Sequence, residues 1–285
     1  MLLKYSYYSF KEKFFSKKTL TIALVGFFSE HLFLNHIGEF CIAVDEKITP
    51  YVFPFLISYI YFQLIYTMMV LYYFSDVPFL QYNQMYQITR MGTVKWTLGK
   101  IGYILMSSAA LTLIIVSESI LILLPHMKIS NEWGKILYTL SMTNVQEDFK
   151  IYPLPFNKNY MEQFSVVEGM MIAFLVCMAV TSFLGILMFF ISLWLGRVVA
   201  IIAASFELAC PIISMNLLWK ASYIISCISP VCWLQVVEYG AEKYGNRIMP
   251  QMNVAFISLG FIILFLIAGV MLRIKKYEFY WSREE

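Results

Sequence analysis

Charge is scarce in this chain. Only 14% of its 285 residues are Asp, Glu, Lys or Arg, while 60% are hydrophobic and the mean hydropathy is +0.69; a soluble domain carries about 25% charged residues. A water-soluble globule is therefore excluded. Histidine is scarcer still, at three residues. His31 and His36 stand off the i, i+4 spacing of a shared ligand face, His126 lies far from both, and no HExxH motif occurs. GxSxG is absent as well, which removes the common signature of a serine hydrolase. The five cysteines, Cys41, Cys177, Cys210, Cys227 and Cys232, form no CxxC pair, so no zinc site is expected. Cys227 and Cys232 are open to two readings, buried thiols or a bridge in an oxidising compartment. A phosphate loop is missing too. Gly99-Lys100 resembles the tail of one, but Val94 replaces its first glycine and Ile101 its Ser or Thr. The net charge of +3 is too small to indicate a nucleic-acid partner. No metal and no cofactor are expected in this chain.

What is abundant is apolar and aromatic sequence, with Phe, Tyr and Trp making up 18% of residues. A membrane-crossing helix needs roughly 20 apolar residues, and the sequence offers six such runs, at residues 20–37, 51–74, 101–124, 166–195, 198–218 and 254–272. The expected fold is an all-α integral membrane protein with six transmembrane helices. The fourth run is overlong and is expected to tilt or flex near Gly185. The fourth and fifth are separated only by Gly196-Arg197, which requires a tight helical hairpin.

Residues 1–18 precede this domain, which occupies residues 19–285. On a helical wheel Leu3, Tyr7, Phe10 and Phe14 share a stripe flanked by lysines, the pattern of an amphipathic interfacial helix whose rings enter lipid and whose lysines reach phosphate. Residues 221–237 are apolar but interrupted by Pro230 and followed by Glu238, Glu242, Lys243 and Arg247, so a broken, re-entrant external hairpin over 221–250 before the sixth run is expected. With a cytoplasmic N-terminus, most of the 21 Lys and Arg fall on inner segments, which sets both termini inside. The segment 126–165 then forms the main external loop, expected to be solvated.

Three carboxylates, Glu30, Glu118 and Glu207, interrupt apolar runs, and Glu168 lies near a membrane boundary. Each costs about 2.5–3.5 kcal/mol at a helix centre, so each should face protein or water. They are candidate pathway residues. The alternative is a neutral structural Glu satisfied by adjacent serines, Ser117 and Ser119 for Glu118 and Ser205 for Glu207.

The inner segment 75–100 holds a further short helix, expected over residues 79–89, with Gly92 closing it and Thr93 capping the next helix. Met85, Tyr86 and Met91 supply an apolar knob, and Arg90, Lys95 and Lys100 mark the segment as cytoplasmic. Taken with the amphipathic leader, the six runs, the Gly196 turn and the broken hairpin, this segment resembles the permease subunit of bacterial type-2 ATP-binding-cassette exporters. The likeness spans nearly the whole chain and is architectural. Only Arg90-x-Gly92-x-x-x-Trp96-x-x-x-Lys100 resembles that family in sequence, and the 126–165 loop is longer than the family's minimal pattern.

The resemblance implies a dimer of identical or homologous permeases, each docked through Met85, Tyr86, Arg90, Met91 and Lys95 on a cytosolic ATPase that carries ATP and Mg. It also implies residence in a bacterial cell membrane, contact with membrane lipid, and export of an amphiphilic peptide, drug or lipid. Two other classes compete with it. One is a membrane immunity protein that sequesters a toxic peptide; the other is a gradient-driven transporter with Glu118 or Glu207 as proton carriers.

Overall fold

The computed structural model describes residues 2–79, 85–243 and 245–276. In chain order the helices are α1 (Leu2–Phe14), α2 (Lys17–Val44), α3 (Phe53–Ser58), α4 (Ile60–Phe74), α5 (Met85–Met91), α6 (Thr93–Leu123), α7 (Lys135–Met142), α8 (Val145–Asp148) and α9 (Lys158–Gln163). They are followed by α10 (Val166–Leu195), α11 (Arg197–Asn216), α12 (Trp219–Ile228) and α13 (Met252–Ile274). Two-residue strands β1 (Glu242–Lys243) and β2 (Asn246–Arg247) pair antiparallel. Five helices, α2, α6, α10, α11 and α13, are long and apolar enough to cross a membrane. The chain is an all-α multi-pass membrane protein.

At the centre lies α10, packed against α4, α6, α11 and α13. Its start is fixed by a capping box in which the Ser165 amide donates to Glu168 Oε2 at 3.0 Å and Ser165 Oγ accepts from the Glu168 amide at 3.4 Å. Glu168 is thus a cap. At the other end Gly196, with φ of 91°, is the single residue between α10 and α11, a conformation that side chains resist. α10 runs unbroken through Gly185. A Cβ there would come 2.7 Å from Ile104 and 3.1 Å from Phe74, so this glycine sets how closely α4 and α6 approach.

The second apolar run is broken where the sequence predicts one helix. Tyr59 is extended, at φ −76° and ψ 120°, and leaves only 15 residues in α4. The break follows Ser58, whose Oγ donates to the Pro54 carbonyl at 2.7 Å and accepts from the Val237 amide at 3.3 Å. The helix turns where it meets the late hairpin.

The leader also differs from expectation. Tyr5, Ser6 and Ser9 are buried, and α1 lies along α6 where Gly99 and Gly102 leave room for Tyr5 and Ser6. Leu3 and Tyr7 of the apolar stripe remain exposed, as a lipid-facing stripe requires. Lys13 and Lys18 are not free to reach phosphate. Lys13 pairs with Asp76, and Lys18 Nζ donates to Ser75 Oγ at 2.9 Å. The segment 126–165 is a packed cap rather than a solvated loop, since Trp133, Ile136, Leu137, Leu154, Tyr160 and Met161 are buried in the main core. Thr49 Oγ1 donates to the Trp133 carbonyl at 2.6 Å, and Trp133 Nε1 to the Phe164 carbonyl at 3.0 Å.

Contacts sort the helix ends into two groups. At one end Lys13 and Lys18 meet residues 75–76, Arg197 Nε donates to the Ser75 carbonyl at 2.8 Å, and Arg273 Nε to the Leu193 carbonyl at 3.2 Å. At the other, the Ile48 amide donates to the His126 carbonyl at 3.0 Å, Lys135 Nζ bonds Glu46 Oε1 at 2.6 Å, and Asn157 Nδ2 donates to the Val237 carbonyl at 3.1 Å.

Candidate functional site

Glu30 on α2 and Glu118 on α6 come together. Their helices pack along one another, and Gly26, one turn before Glu30, makes the space: a Cβ there would stand 2.5 Å from Glu118 Oε2. Glu30 is fully buried and Glu118 nearly so. Among the described residues neither Glu30 oxygen, nor Glu118 Oε2, has a hydrogen-bond partner. The expected serine partners are corrected, because Ser117 donates to the Ile114 carbonyl and Ser119 to the Val116 carbonyl. Serines within a helix bond back to the preceding turn. Two buried carboxyl groups on neighbouring helices cannot both carry charge cheaply.

Glu207 on α11 is separate from that pair. It accepts from Ser229 Oγ at 2.7 Å, not from Ser205, which donates to the Ile201 carbonyl. Ser229 sits at the break between α12 and a 3₁₀ turn over Pro230–Leu234. The hairpin is therefore broken at Pro230, as the sequence indicates, and all five cysteines are free thiols. Gln63 of α4 reaches the same turn, its Nε2 donating to the Val231 carbonyl at 2.5 Å.

The expected docking knob falls on α5, which among the described residues covers Met85–Met91 and so runs two residues past the expected end at 89. Residues 80–84 and the Met85 side chain lie outside the described residues. Ile88 is buried and Met91 half-buried, whereas Tyr86, Arg90 and Lys95 are exposed, Tyr86 by 79%. Gly92, at φ 80°, both closes α5 and precedes α6, so the expected Thr93 cap is corrected. Residues 277–285, expected as the cytoplasmic C-terminus, lie outside the described residues.

Lys100, taken from the sequence as a cytoplasmic flank, is instead buried two turns inside α6, at 3% exposure. Its Nζ is surrounded by the rings of Tyr5, Trp96 and Tyr103, with centroids 5.7, 5.8 and 5.7 Å away. A desolvated cation–π contact contributes about 2 kcal/mol, which offsets only part of the loss when an ammonium leaves water. Beside it a cavity of about 280 Å³ opens between α1, residues 76–79 and α6.

Sequence reasoning also missed a buried polar thread through the bundle. Tyr66 OH shares a hydrogen bond with Thr181 Oγ1 at 2.6 Å and approaches Thr112 Oγ1 at 3.4 Å; Thr112 in turn donates to Cys177 Sγ at 3.8 Å. Its only signal in the sequence is hydroxyl residues inside apolar runs. No family model matches the chain, no curated protein matches it in sequence, and no solved structure matches it in fold.

Proposed function

We propose that the chain is the membrane-spanning permease subunit of a type-2 ATP-binding-cassette exporter in a bacterial cell membrane. In this reading α3 and α4 together form the second of six crossings, and both termini are cytoplasmic. ATP and Mg are bound by a partner ATPase. A second permease completes the pathway for an amphiphilic cargo. The observation that carries the reading is α5: seven residues held from beneath by Ile88, presenting exposed Tyr86 and Arg90 at the end of the bundle where the Gly196 turn also lies. A helix this short is unstable unless anchored, and an anchored helix with an aromatic and an arginine outward suits a protein contact. Contact anchors of these types commonly contribute about 2 kcal/mol or more. Tyr86→Ala with Arg90→Ala should insert normally yet lose co-purification of the ATPase and transport. Equal recovery and equal export at matched expression would remove the reading.

A proton-coupled transporter is the second reading, favoured by the unpartnered Glu30 and Glu118 pair. Collapse of export by an uncoupler at constant ATP, together with its loss in Glu30→Gln, would select it. Survival of export under the uncoupler would select the first.

A further inference from the structure

We propose that the cavity between α1, residues 76–79 and α6 is a binding site for a phosphate group, with Lys100 Nζ as its innermost contact. The cavity is lined by Lys13, Lys17, Lys18 and Lys100 against Glu12 and Asp76, so cations exceed carboxylates. Asp76 is already served by two lysines, Lys13 directly and Lys18 at 3.8 Å. Glu12 then stands alone against Lys17 and Lys100, so positive charge remains in excess. Lys100 is the telling residue, because it is almost wholly buried and among the described residues makes neither a hydrogen bond nor an ion pair. Its rings neutralise nothing. A buried ammonium with no carboxylate in contact is poorly compensated, and phosphate supplies both the charge and several acceptor oxygens. The wall adds a donor for such oxygens, Ser16 Oγ, which is buried and among the described residues has no partner.

Two sources deliver the same chemistry: the headgroup of an anionic phospholipid in the adjoining leaflet, or a free phosphate ion. The exposed Leu3 and Tyr7 of α1 place this element where acyl chains run. The proposal is independent of any ATPase, since it concerns only α1, residues 76–79 and α6.

The test uses the full chain in nanodiscs of phosphatidylcholine alone or with phosphatidylglycerol, and in phosphatidylcholine with millimolar inorganic phosphate. Bound lipid is counted by native mass spectrometry and the melting midpoint is followed. Wild type should retain one phosphatidylglycerol, or be stabilised by inorganic phosphate. Lys100→Gln should weaken whichever is bound at least tenfold, and Lys17→Gln about threefold. Lys4→Gln, on an exposed residue of α1 outside the cavity, should change neither. Binding in the lipid arm alone identifies a headgroup; binding in the phosphate arm identifies the free ion. Absence of both, or an equal fall in Lys4→Gln, overturns the proposal and leaves Lys100 as a structural cation in its ring cage. Should Lys100→Gln not fold, unchanged binding in Lys17→Gln overturns it equally.

Discussion

A carboxyl group drawn out of water is defined by its donor, and at half-buried Glu207 that donor, among the described residues, is the Ser229 hydroxyl. Ser229→Ala removes it without changing the shape of the site and leaves a half-buried acceptor short of one donor, a loss of about 1 kcal/mol. Glu207→Gln retains the oxygen and adds a donor of its own, so it should be the milder change. Melting midpoints of the two purified variants, compared with wild type, give the order; a Ser229→Ala midpoint equal to wild type would mean that Glu207 is satisfied elsewhere. The exception of Glu207 among the apolar residues of its run is legible in the sequence. Its partner is not, because Ser205 is adjacent in the chain but turned to its own helix, while Ser229 is 22 residues away. Glu30 and Glu118 illustrate the same point: each stands out alone, and only the packing of α2 on α6 across Gly26 makes them a pair.

Apolar runs are legible because lipid imposes a length on each helix, and α10, α11 and α13 follow the sequence within a few residues. Interruptions are less so. The break at Tyr59 has neither Gly nor Pro at the site; it is set by Ser58 meeting Val237, 179 residues later. The position of α1 on α6 depends on Gly99, where a Cβ would collide with the Tyr5 ring. Gly99→Val should therefore lift α1 at a cost of about 1–3 kcal/mol, and limited trypsin digestion should cut at Lys11 and Lys13 faster than in wild type. An unchanged digestion pattern would show that α1 is held by other contacts. The cap over residues 126–165 is tied to α2 by Lys135 and Glu46. Lys135 holds the Glu46 carboxyl below its ordinary 4.5, and Glu46 raises the Lys135 ammonium above its ordinary 10.5. The carboxyl contribution is full above pH 4.5 and fades as pH falls through the lowered value; the ammonium contribution is full below pH 10.5 and fades as pH rises through the raised one. Protection of the α7 amides, taken relative to intrinsic exchange at each pH, should accordingly be greatest between those limits, with the dependence weakened in Lys135→Gln.

For the whole molecule, the two groups of helix ends give a sidedness that labelling can read. In a background lacking the five native cysteines, single cysteines at Tyr86 and at Lys135 should react with impermeant reagents from opposite faces, and cysteines at Glu242 and Arg247 should share the face of Lys135. Labelling of Tyr86 and Lys135 from one face would overturn the alternation of the helices. The charged cluster at the α5 end has a bearing on biosynthesis. It joins residues 13, 18, 75, 76 and 197, and translation delivers them in that order. A nascent chain can fasten its leader once Asp76 has left the ribosome, but the Ser75 carbonyl must wait for Arg197, by which time α10 is complete. Insertion of the central helix thus precedes the final locking of this face, and a chain that stalls before residue 197 exposes an unfinished cluster to proteolytic surveillance.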